Sequence, residues 1–143
     1  QTFPRGIRVD SLVSDDLWSI RANATRIHQV LLNLCLNARD AMPQGGVLTL
    51  AADNVELGPA EAEGIPGGAP GAYVVLTVSD TGTGISKEHI DRIFEPFYSG
   101  SGSTGLGLYL VRELALANGG SVRLGSSKKG ARFVLELPLM PIH

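Results

Sequence analysis

The sequence predicts a two-layer α/β sandwich, with about three helices on one face of a mixed, mainly antiparallel sheet. Three observations lead there. Strand-like and helix-like segments mix along 143 residues without an internal repeat, a length suited to one domain with a real core. Neighbouring strands read as antiparallel hairpins, most clearly at the end of the chain. One long segment, ending near Met42, has helical periodicity, with Ile27, Val30, Leu31, Leu34, Ala38 and Ala41 forming an apolar stripe.

In chain order, Gln1 to Gly6 reads as linker and residues 7–143 as the domain. Ile7 to Val13 alternates as a strand, and Leu17 to Arg21 reads as a second after a Ser14-Asp15-Asp16 turn. Asn23 or Thr25 can cap the long helix, which Pro43 and the Gly45-Gly46 pair end. Val47 to Ala52 is a third strand, Glu56 to Gly71 a surface loop, and Tyr73 to Ser79 an apolar strand running into Asp80. Ser86 can cap a short helix to Ile90. Thr104 to about Asn118 is a further helix, stopped by Gly119-Gly120. Ser121 to Leu124 and Arg132 to Leu137 close the chain as a hairpin around Lys128-Lys129-Gly130.

Composition excludes several classes. Net charge is −2 and the Lys and Arg residues are dispersed, so no basic face points to nucleic acid. No apolar run approaches membrane-spanning length, and no leader-like segment opens the sequence. The single cysteine, Cys35, falls within the helical pattern and reads as a buried structural residue; a reducing, cytoplasmic setting is expected.

Four stretches carry chemistry. Arg26, Gln29, Asn33, Asn37 and Asp40 line up as a polar stripe on the long helix. An asparagine offers a carbonyl oxygen to a hard cation and an amide to a phosphate oxygen, although two asparagines bonded to neighbouring backbone would give the same pattern. Asp80 shares a strand face with Val74, Leu76 and Val78, so its carboxylate needs a donor in an apolar setting. The exocyclic amino group of adenine is one such donor; an Asx turn at the strand end is the other reading. Gly82 and Gly84 would allow close approach of the base. Gly102-Ser103-Thr104-Gly105-Leu106-Gly107-Leu108 leads into a helix, whose free N–H groups suit an anion, although a flexible linker before a helix looks alike. Phe94-Glu95-Pro96-Phe97-Tyr98 reads as a hydrophobic anchor for the Gly/Ser segment that follows.

In this order the stretches resemble the boxes of the catalytic, ATP-binding domain of bacterial two-component sensor histidine kinases, within the superfamily that includes gyrase B, MutL and the large heat-shock chaperones. Asn33 to Ala41 is similar to the N box, Asp80 to Ile85 to the first glycine box, Phe94 to Tyr98 to the F box and Gly102 to Leu108 to the second glycine box. Gly130-Ala131-Arg132-Phe133 with Leu137-Pro138 resembles the last strand. The resemblance covers nearly the whole chain.

The resemblance implies a Bergerat-type sandwich that binds ATP and magnesium. Asn37 would be the magnesium ligand. Asn33 would lie beside the phosphates, where ATP-hydrolysing relatives carry a glutamate. Asp40 and Ala41 would belong to the nucleotide site, Asp80 would hold the adenine amino group, and Gly82, Gly84 and Ile85 would shape the base pocket. Gly105, Leu106, Gly107 and Leu108 would wrap the phosphates, and Tyr98 to Thr104 would form the lid. The implied activity is transfer of the γ-phosphate to a histidine on a separate dimerisation domain, with a response-regulator receiver domain downstream. Gln1 to Gly6 would be what remains of the connection to that acceptor domain. The fragment itself would not touch a membrane; whether its parent is anchored in one stays open.

Three departures qualify the resemblance. His28, His89 and His143 lack the acidic neighbour of an acceptor histidine, which places the acceptor elsewhere. The lid is short and holds no lysine. Natural trimming, an inserted Gly/Ser linker and omitted residues all fit that segment. Ala131 stands where relatives often have threonine. The short lid also fits an ATP-binding regulatory or docking module that transfers nothing.

Overall fold

The protein is described from a computed structural model, which covers residues 6–13, 16, 24–64, 68–85, 87–96, 107–125 and 129–139. Its elements are β1 (Ile7–Val13), α1 (Ala24–Asp40), β2 (Gly46–Leu57), α2 (Pro59–Ala62), β3 (Gly71–Asp80), α3 (Lys87–Ile90), α4 (Gly107–Ala117), β4 (Ser121–Leu124) and β5 (Arg132–Pro138). The strands form one sheet in the order β1-β2-β3-β5-β4. β1 pairs with β2 in parallel, Val9 opposite Leu48, because α1 carries the chain back between them. The β2–β3, β3–β5 and β4–β5 pairs are antiparallel. The sheet is therefore mixed and mainly antiparallel, as expected.

The largest departures from expectation lie between Ala52 and Tyr73. β2 runs five residues beyond Ala52, to Leu57, because Asn54 to Leu57 find partners in Val74 to Gly71. The expected loop then holds the single turn α2, started by Pro59, a residue suited to a helix's first position. The expected strand Leu17 to Arg21 and the caps at Asn23 and Ser86 lie outside the described residues.

Alternation puts Leu48, Val78, Phe133, Leu135 and Leu137 on one sheet face. α1 covers that face with Val30, Leu34, Cys35 and Ala38, and α4 covers it with Val111 and Ala115. Ile93 is buried in the same core, and Phe94 meets Phe133 edge-on, with ring centroids 6.1 Å apart. The expected hydrophobic anchor is thus present in its first half; Phe97 and Tyr98 lie outside the described residues. α4 ends in a Schellman pattern, Gly119 N–H donating to Leu116 O at 3.0 Å and Gly120 N–H to Ala115 O at 2.9 Å. On the opposite sheet face Glu136 is buried; its Oε1 accepts from Ser121 Oγ at 3.1 Å and Arg123 Nε at 3.3 Å, which ties β4 to β5.

Candidate functional site

The helix periodicity that buries Val30, Leu34 and Ala38 turns Asn33 and Asn37 to the side, both half-buried. Asn33 Nδ2 donates to Gly107 O, the first residue of α4, in a long hydrogen bond of 3.5 Å. That bond links the polar stripe of α1 to the start of the α4 helix. Asn37 sits one turn further on, and among the described residues no side-chain hydrogen bond engages its amide. Asp40 is exposed and pairs with Arg39 at 3.1 Å, and among the described residues no hydrogen bond joins it to the rest of the cluster.

The other end of α1 meets the turn after β3. Ala41 O accepts the Thr83 N–H at 3.0 Å. Gly82 packs so closely on the same carbonyl that a Cβ would collide with it. Glycine is required at 82 for this approach. Thr81 Oγ1 accepts the Val47 N–H at 3.0 Å and lies 3.8 Å from Met42 Sδ, so the turn is fastened to the start of β2 as well. One helix therefore registers both halves of the site. Asn33 touches the α4 start and Ala41 touches the Asp80 turn, about 12 Å along the axis.

Asp80 is 4% exposed and sits on the core face of β3, as the alternation predicts. Its Oδ1 accepts the Gly82 N–H at 2.8 Å and the Ala131 N–H at 3.2 Å. The Asx turn is thus real. It occupies one carboxylate oxygen, and among the described residues Oδ2 takes no hydrogen bond. Burial pushes the Asp80 carboxyl above the usual carboxylate range, while the Gly82 and Ala131 N–H groups hold it down in part. Gly84, in left-handed backbone, lies beside Gly130, and Ile85 packs against the core. Gly107 and Leu108 open α4, both half-buried. Tyr98, Thr104, Gly105 and Leu106, with the whole lid, lie outside the described residues.

Two residues without an assigned role in the sequence pattern belong to this cluster. Thr81 lies inside the stretch similar to the first glycine box; a hydroxyl between Asp80 and Gly82 is the signal, because a side-chain acceptor there can reach back to a strand. Gly130 lies in the stretch resembling the last strand and abuts Asp80 across the sheet end. No group of three or more His, Cys, Asp or Glu residues suited to a metal occurs among the described residues.

Residues 22–141 match the family of histidine kinase-, DNA gyrase B- and HSP90-like ATPases. The chain belongs to this family. Within it, the chain is of the ATP-binding catalytic-domain type found in two-component sensor histidine kinases. It is 41% identical over 128 residues to the sensor kinase CckA of Brucella abortus (strain 2308), a match covering 86% of this chain and 13% of that protein. Full-length ShkA, solved in complex with AMPPNP, superposes with a TM-score of 0.74 at 34% identity, covering 96% of this chain and 26% of that one. The catalytic domain of histidine kinase ThkA, in a nucleotide-free form, gives 0.77 at 27% identity, with 95% and 82% covered. The chain thus spans well under a third of CckA and of full-length ShkA and most of the isolated ThkA domain.

Proposed function

We propose that this chain binds Mg-ATP and donates the γ-phosphate to a histidine on a separate dimerisation domain. The observation that carries the reading is the double registration of α1. Its Asn33 meets the start of α4, and Ala41, the residue just past its end, meets the Asp80 turn, which suits a ligand with phosphates at one end and a base at the other. In this reading Asp80 Oδ2 accepts from the exocyclic amino group of adenine, and Gly82, Gly84 and Ile85 line the base. Gly107 and Leu108, with Tyr98, Thr104, Gly105 and Leu106 before them, surround the phosphates at a helix N-terminus, where N–H groups and the helix dipole favour anions.

Asn37 fits magnesium: a half-buried amide without a side-chain partner among the described residues, of a kind that supplies one hard oxygen ligand. Bound there, magnesium would neutralise phosphate charge. Asn33 takes the place of a base and cannot act as one, since an amide does not accept a proton at neutral pH. That favours transfer to an imidazole over hydrolysis by water. The γ-phosphorus parts from the bridging oxygen, a phosphorus–nitrogen bond forms, and ADP leaves. A receiver domain of a response regulator would take the phosphoryl group next. A cytoplasmic location belongs to the same reading.

Mixing the chain with a histidine-bearing dimerisation domain and γ-labelled ATP tests it. Label on the partner, lost in Asn37→Ala, is the expected result. The lysine-free lid favours a second reading, an ATP-binding regulatory module. Nucleotide binding without labelling of any partner would select that reading.

A further inference from the structure

Gly130 precedes β5 and carries no role in the proposed function, which the following rests upon. Its backbone is left-handed, with φ of 79°. A Cβ there would collide with the Asp80 carbonyl oxygen and stand 2.6 Å from Asp80 Oδ1. The next residue holds the same aspartate twice: Ala131 N–H donates to Oδ1 at 3.2 Å, and Ala131 O accepts the Asp80 N–H at 2.9 Å. On the other side, a Cβ on Gly84 would lie 3.3 Å from Gly130 O. Residue 130 is therefore wedged between the aspartate and the glycine turn of the base pocket. Any side chain there must push the β5 approach away from the Asp80 backbone, which breaks the Ala131 bonds and frees the carboxylate to turn.

We propose that Gly130 is a positioning residue for base recognition, acting through Asp80: it holds the carboxylate with Oδ1 consumed by backbone and Oδ2 alone presented to the ligand. A single fixed acceptor favours a base carrying an amino donor and repels one carrying a carbonyl oxygen at the same place. A carboxylate free to turn would keep its charge and lose that selectivity. The side chain opposite Asp80 on β2 is Leu48, which is fully buried and offers no polar replacement.

The test titrates the 143-residue chain with Mg-AMPPNP and with its guanine counterpart, and follows amide hydrogen exchange at Gly82 and Ala131 without nucleotide. In Gly130→Ala, AMPPNP affinity should fall about tenfold, the loss of one hydrogen bond to a charged group. The preference for adenine should narrow, and the Ala131 amide should exchange faster. Should that variant fail to fold, Gly130→Asn tolerates left-handed backbone while keeping the collision, and the same three changes are expected. Gly45→Ala is the strain control, at φ of 92° with a Cβ 2.6 Å from Gly6 O; it should melt earlier and leave base preference and Ala131 exchange as in the wild type. Wild-type preference and exchange in both Gly130 variants would overturn the proposal. If the wild type binds neither nucleotide, the nucleotide reading fails instead, and Ala131 exchange alone decides whether Gly130 positions Asp80.

Discussion

Asp80 Oδ1 closes the turn by accepting from Gly82 and Ala131, and in the proposed function Oδ2 is the oxygen that meets the base. An asparagine at 80 keeps an oxygen for the turn and replaces the outward oxygen with a donor. Asp80→Asn should therefore abolish AMPPNP binding without unfolding the chain. The pH dependence gives the sign. Burial raises this carboxyl's pKa in the folded chain, so its contribution to stability is present below the ordinary carboxylate range and is lost as pH rises through the raised value. Asp80→Asn escapes that loss. Thermal melts should show the variant gaining on the wild type as pH rises across that range; a constant difference would contradict the burial argument. Cys35 gives a second residue-scale expectation. It is 8% exposed and burial raises its thiol pKa, so a mass-spectrometric alkylation assay should find it inert in the native chain and reactive on unfolding. Asp80's place on the core face was readable from strand alternation alone. Its Ala131 bond was not, because it joins positions 51 apart that no local pattern relates.

Among the elements, α1 was the most legible. Its stripe of Val30, Leu34 and Ala38 is the one the structure buries, and the stop signals at Pro43 and Gly45 fall just past its end. The course of β2 was less so. Its extension past Ala52 depends on partners in β3, and Asp53 and Glu56 broke the apolar signal because they are exposed. The parallel β1–β2 pairing was equally hidden, since strand direction follows from the α1 crossover and not from side-chain pattern. The turn after β3 is held to two other elements by Thr81 and Ala41. Thr81→Val removes the acceptor for the Val47 N–H while keeping the shape. It should cost about 1–2 kcal/mol, read as a lower midpoint in urea at unchanged slope. An unaltered midpoint would show that the turn is held without that hydroxyl.

At the scale of the molecule, the site is a consequence of the two-layer packing. α1 lies on the sheet with its apolar stripe down, and this sets Asn33 and Asn37 at one margin and Ala41 against the turn after β3. Neither asparagine meant much by sequence spacing alone. Their weight came from the order of four separate stretches; among the described residues, Asn33 of α1 touches the start of α4 and Ala41 touches the turn after Asp80. No helix among the described residues is long and apolar enough to cross a membrane. In the proposed function the Asp80 end and the Asn37 end form one Mg-nucleotide site. Calorimetric titration of AMPPNP into the 143-residue chain, with and without magnesium, is the decisive measurement. One saturable site is expected in the wild type, tightened by magnesium, with the tightening lost in Asn37→Ala. Equal affinity with and without magnesium, or no binding at all, would contradict it.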